Sequence, residues 1–107
     1  MASGTIIVDS WQYVGASTGN TAIAIPSTAK EVTVTARYGT SNLVYNLRLI
    51  REQLSGAAAT YTQGYYLSAS SYGICQISAS LTNVSLTYLG VNGTDYTSTS
   101  SISVWAK

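Results

Sequence analysis

Residues 74–89, ICQISASLTNVSLTYL, alternate apolar and polar side chains in two short runs. Cys75, Ile77, Ala79 and Leu81 alternate with Gln76, Ser78 and Ser80 in the first run. Val84, Leu86 and Tyr88 alternate with Ser85 and Thr87 in the second. Successive side chains on a strand point to opposite faces, so each run has one apolar face and one polar face. Thr82 and Asn83 form a polar joint between them. The pattern predicts an antiparallel hairpin buried on one side. A third run, residues 102–106, is expected to extend the same sheet after a polar loop.

Working outward, residues 31–38, EVTVTARY, give the clearest half-buried strand of the first half. Val32, Val34, Ala36 and Tyr38 face one way, and Glu31, Thr33, Thr35 and Arg37 the other. After a turn at residues 39–42, Leu43, Tyr45, Leu47 and Leu49 alternate with Val44, Asn46, Arg48 and Ile50. Leu47, Ile50, Arg51 and Leu54 also fit helical spacing, so the expectation is strand to Ile50 and then an irregular or briefly helical passage. Residues 11–14 and 21–25 flank a segment rich in Gly, Asn and small residues, read as a first hairpin, with Pro26 closing its second strand. Residues 55–62 read as loop, residues 63–68 as a short strand, and residues 70–73 as a turn. Asn92-Gly93 is a strong turn signal. About eight strands with frequent turns and no substantial helix predict an all-β fold. That pattern reads as a β-sandwich or a barrel, and the architecture expected between the two is an antiparallel, jelly-roll-like β-sandwich over residues 11–107, behind a flexible lead-in and first short strand at 1–10.

Composition narrows the function classes. Apolar residues are 46% of the 107 residues, yet charged ones are only 8%, against about 25% in a typical domain. Ser and Thr take their place, at a little over a quarter of the chain. Nine Tyr, two Trp and many β-branched residues supply enough burial to order it. The net charge is +1 and the five basic residues are scattered along the sequence, which argues against nucleic acid and electrostatic membrane attachment as partners. No apolar run approaches the roughly 18 residues of a membrane span. The start lacks the basic region and apolar run of a signal peptide.

The chemistry available is narrow. With no His, Ser-His-Asp, Cys-His and His-ligated zinc arrangements are excluded, and no cofactor or metal site is expected. Cys75, on the apolar face of the hairpin, reads as a core residue. A carboxylate pair acting on a glycosidic bond would draw on Asp9, Glu31, Glu52 and Asp95. Glu31 lies on a solvated strand face and Asp95 in a turn, so the chain is read as non-enzymatic. Binding through aromatic rings fits better: Tyr61, Tyr65, Tyr66, Tyr72 and Tyr96 fall in or beside loops and short strands. The competing reading is packing, because the chain has no Phe. The candidate ligand-binding residues are Tyr61, Tyr72, Asn92, Asp95 and Tyr96. Exposed strand faces carry few charges to deter association. Val44 and Ile50, on the polar-side register, and Trp105, opposite Ile102 and Val104, are therefore candidate interface residues between copies.

The Trp-x-x-Val at residues 11–14, the IPSTAKEVTV at 25–34, the GYY at 64–66 and the TSTSSISVWAK ending at 97–107 follow in order. From residue 11 onward the chain resembles small C-terminal β-domains of bacteriophage tail-fibre, tail-appendage and other virion surface proteins. The resemblance implies a β-sandwich at an exposed fibre tip on the virion, assembled as a homotrimer and touching a host cell-surface glycan or protein. It carries no binding residue over, because the shared pattern fixes strands and leaves loops free. Met1, with no fibrous shaft before the domain, departs from a full tail fibre. Two other classes stay open: a structural or head-fibre decoration subunit, and a secreted, extracellular carbohydrate-binding module.

Overall fold

The computed structural model of the chain describes residues 10–39 and 42–107. Nearly the whole expected lead-in at 1–10 therefore lies outside the described residues. Strand β3 (Glu31–Tyr38) is organised as its alternation dictates: Val32, Val34 and Ala36 are buried, while Thr33, Thr35 and Arg37 turn outward. It pairs on one side with β4 (Asn42–Ile50) and on the other with β9 (Ser101–Ala106), whose far edge carries β1 (Gln12–Thr18). These four strands form the first sheet, in the order β1-β9-β3-β4. The second sheet runs β2-β7-β6-β5. It uses β2 (Ile23–Ala24), β5 (Ala59–Ser68), β6 (Ser71–Ala79) and β7 (Asn83–Val91), with β8 (Thr94–Asp95) also paired to β7. Every pairing is antiparallel.

The inner faces of the two sheets meet in one core. Val32, Val34, Leu49, Ile102 and Val104 come from the first sheet, and Cys75, Ile77, Val84, Leu86 and Leu89 from the second. The chain is thus an all-β, two-sheet antiparallel sandwich of about nine strands, with no helix of even two turns among the described residues. Its helical content among the described residues is two single 3-10 turns, Arg51–Gln53 and Thr97–Thr99. The first falls where the ambiguous Leu47–Leu54 spacing was expected to leave the strand. Pairing of the earliest strands with the latest, β1 with β9 and β2 with β7, is the jelly-roll-like part of the topology. The β3–β4 hairpin and the β5–β6–β7 meander fill the middle.

Several local readings are corrected. Residues 11–25 do not form a hairpin: β1 belongs to the first sheet and β2 to the second, so the chain crosses the sandwich between them. The small residues Gly15, Ala16 and Ser17 stay extended within β1, and the turn comes only at Gly19-Asn20. The run at 102–106 joins β1 and β3 rather than the Ile74–Leu89 hairpin. Residues 59–62 are strand rather than loop, giving β5 ten residues, and Tyr72 and Gly73 lie inside β6.

Bulges account for the remaining differences. Opposite Ala36 and Arg37, β4 inserts one extra residue, Val44, between Leu43 and Tyr45. An extra residue reverses the facing beyond it. Val44 is consequently 8% exposed and Leu43 51%, the reverse of the simple alternation. Thr87 is the extra residue in β7. It sends Tyr88 outward opposite Gln76 and Leu89 into the core opposite Cys75. Two glycines admit close approach at this end of the second sheet. A side chain on Gly73 would meet the Tyr65 ring and the Gly90 carbonyl, and one on Gly90 would meet the Tyr88 ring. Tyr65 lies across Gly73 and donates its hydroxyl to the Gly90 carbonyl at 2.7 Å.

Candidate functional site

Pairing of β1 with β9 places Tyr13 directly opposite Trp105 on the outer face of the first sheet. The two rings meet edge to face, with centroids 5.1 Å apart. Thr33 continues that row on β3 and Arg48 on β4. One row nearer the chain's end stand Glu31, Ile50 and Lys107. Glu31 binds both cations: Arg48 donates through Nε at 3.0 Å and through Nη2, and Lys107 Nζ lies 3.5 Å from the other carboxylate oxygen. Arg48 and Lys107 also lie against the Trp11 ring, 5.4 and 5.0 Å from its centroid, within cation–π range.

The rings stay open to solvent all the same. Trp11 is 37% exposed, Tyr13 57% and Trp105 39%. A β-sheet face left unpacked would ordinarily carry polar residues, as Thr33, Thr35, Asn46 and Ser103 do here. Three large exposed aromatics gathered at one end of it are the kind of apolar surface that on soluble proteins marks an interaction site. Hydrogen bonding by Arg48 comes first among the causes that hold the Glu31 carboxyl below the usual carboxylate range, with the charges of Arg48 and Lys107 adding to it. Glu31 therefore stays ionised and keeps the two cations in place beside Trp11.

Beside this patch runs an open groove of about 550 Å³ between β1 and the β2–β3 connection, lined among others by Gln12, Tyr13, Pro26, Thr28, Lys30 and Lys107. The backbone N–H groups of Lys30 and Glu31 both donate to the Lys107 carbonyl, at 2.7 and 3.0 Å. Arg51 Nη1 donates to the Ala29 carbonyl at 3.0 Å. Four of the five basic residues of the chain, Lys30, Arg48, Arg51 and Lys107, are thus drawn to one end of the first sheet. Sequence separation had made them look scattered.

The residues singled out from sequence for ligand binding do not converge. Asn92, at a φ of 50°, spends its side chain on the turn: its Oδ1 accepts from the Tyr72 N–H at 3.1 Å and its Nδ2 donates to the Ser70 carbonyl at 3.3 Å. Asp95 Oδ1 accepts from the N–H and hydroxyl of Thr97, which holds its carboxyl below the usual range. Tyr96 packs edge-on to Tyr38 at 5.1 Å, and Tyr61 rests half-buried against the core from β5. Tyr72 is exposed, near Tyr66 on the outer face of the other sheet, with centroids 6.3 Å apart. Of the interface candidates, Val44 is ruled out as a contact by its burial behind the β4 bulge. Ile50 and Trp105 are exposed. Cys75 is fully buried, and burial pushes its thiol up to about 12, which removes the thiolate a nucleophile would need.

Trp11, Tyr13, Arg48 and Lys107 were missed as site residues. A signal existed in part, since Trp11 and Tyr13 are two apart in an extended run and Trp105 stands on the outward register beside Lys107. What joins them is the pairing of β1 with β9, across nearly the whole length of the chain.

Among the described residues no helix is long and apolar enough to cross a membrane, and no group of three or more Cys, Asp and Glu residues is placed to hold a metal ion. The chain matches no protein-family model, no curated protein and no solved structure. Fold and site together define a class: a small two-sheet β-sandwich that displays aromatic rings and cations on an uncovered sheet face.

Proposed function

We propose that this chain is a non-enzymatic attachment domain on the surface of a bacteriophage particle, a tail-fibre tip that binds a receptor on the host cell. The observation that carries this reading is the exposed trio Trp11, Tyr13 and Trp105 on one face of the first sheet. Flat rings on a rigid sheet suit the apolar face of a sugar, and strands hold them more firmly than loops would. The resemblance of the strand pattern to virion surface domains and the low charge of the chain support the particle setting. The described carboxylates support binding over hydrolysis. Glu31 is tied to Arg48 and Lys107, Asp95 to Thr97, and Glu52 sits on an exposed single turn.

Self-assembly belongs to the same proposal. The edge strand β5 is ten residues long and carries no charge and no Pro, the usual deterrents to pairing. Its Tyr66 (81% exposed) and, on the neighbouring β6, Tyr72 and Ile74 line the outer face of the second sheet. A homotrimer closed over this sheet would leave the Trp105 face outward, so Trp105 moves from the expected subunit contact to the receptor contact. A head-decoration subunit is the alternative favoured by the same Tyr66–Ile74 surface.

Adsorption of the fluorescently labelled protein to a broad panel of bacterial cells tests the receptor reading. Binding to some strains that is lost in Trp105→Ala, with an unchanged melting temperature, is expected. Absence of binding across the panel, or equal binding by the variant, would overturn it.

A further inference from the structure

We infer that the receptor recognised by this face is an acidic polysaccharide, built of pyranose units that bear carboxylates. This rests on the receptor-binding reading and narrows it. Charge complementarity points to such a ligand. At this end of the first sheet four cations, Lys30, Arg48, Arg51 and Lys107, stand with two carboxylates, Glu31 and Glu52, although the chain as a whole carries only +1. Three of the four border the exposed rings or the groove: Arg48 and Lys107 lie against Trp11, and Lys30 lines the groove with Lys107.

Arg48 is the best placed of the four. Its side chain is 61% exposed, and Glu31 engages only Nε and Nη2. That leaves Nη1, on an edge whose planar geometry matches a carboxylate. Stacking beside Trp11 and the bond to Glu31 hold that edge in one orientation, which lowers the entropy lost on binding. Lys107 is held in the same way between Glu31 and Trp11, and Lys30 lines the groove with it. A uronic acid offers both halves of what this surface presents. Its ring has an apolar face for Tyr13 or Trp105, and its carboxylate lies on the same unit, within reach of a neighbouring cation. A polyol phosphate chain offers charge without a ring face, and a neutral glycan offers a ring face and leaves the cations unused.

Calorimetric titration of the intact protein with short oligomers of galacturonate, mannuronate and guluronate tests this, with the methyl-esterified oligomers as neutral controls of the same length. At least one free acid should bind, with esterification or Arg48→Gln weakening it about tenfold or more and rising salt weakening it further. Trp105→Ala should abolish binding of the acid. Arg37→Gln, at the opposite end of the first sheet, should leave it unchanged. Ester bound as tightly as acid would overturn the acidic-glycan assignment while leaving the receptor reading intact. So would failure of every acidic oligomer to bind while cell adsorption through Trp105 persists. Competition by oligodeoxythymidylate at equal affinity would replace it with single-stranded nucleic acid, and association of copies through Trp105 in light scattering with a self-contact. Loss of cell adsorption as well would remove the receptor reading beneath it.

Discussion

Truncating Leu86 and Leu43 to alanine, one at a time, separates the sandwich described here from the simple alternation of its sequence. Both leucines fall on the apolar register when the runs are read by period two. In the fold Leu86 is fully buried opposite Ile77, between the two sheets, whereas Leu43 is turned outward by the bulge at Val44. Leu86→Ala removes about three buried carbon groups at about 0.8 kcal/mol each, or about 2.4 kcal/mol of transfer free energy. A cavity that fails to collapse adds about 24 cal/mol per Å³, bringing the expected cost to about 3–4 kcal/mol. For a domain of this size that is a fall in melting temperature of roughly 10–20 °C. Leu43→Ala, half-exposed already, should cost under about 1 kcal/mol. Thermal and urea unfolding followed by circular dichroism reads both. Equal losses for the two variants, or a larger one for Leu43→Ala, would refute the bulge and with it the facing of β4.

Two other outcomes follow from the structure. The Glu31 carboxyl is held below the usual range by Arg48 and Lys107, so its contribution to stability is fully present above the ordinary carboxylate pKa and is lost as pH falls through its depressed folded value. Glu31→Gln should therefore flatten the acid limb of a stability profile below about pH 4.5 and leave a constant deficit above it; an unchanged acid limb would dismiss the Glu31–Arg48–Lys107 arrangement. Light scattering at micromolar concentration should give three times the 11.3 kDa chain mass, falling on Tyr66→Lys at the second sheet; a stable monomer would defeat the assembly proposal.

Strands whose alternation is unbroken were legible from sequence. β3, β6 and the first half of β7 carry their facing in period two, and Asn92-Gly93 marks its own turn with two positive φ angles. Bulges were not legible, because an extra residue at Val44 or Thr87 is defined by the strand opposite and leaves no local trace. The sheet to which residues 102–106 belong was hidden for a related reason. Ile102, Val104 and Ala106 would bury equally well against either sheet, and only the assembled order puts β9 between β1 and β3. The site was the least legible part. Asn92 and Asp95 look available as loop residues, but their side chains close turns. The rings and cations that do gather come from the two ends of the chain, from β4 and from the residues just before β3 and just after β4.

Trp11 and Trp105 are the only tryptophans in the chain, and both lie on the proposed receptor face. Acrylamide quenching of intrinsic tryptophan fluorescence therefore reports on that surface alone. Without ligand the emission should be readily quenched, as the partial exposure of both indoles requires. With a bound acidic oligosaccharide, or a purified surface polysaccharide from an adsorbing strain, quenching should fall as the rings are covered. Binding that leaves quenching unchanged would place the receptor elsewhere on the molecule and contradict the account.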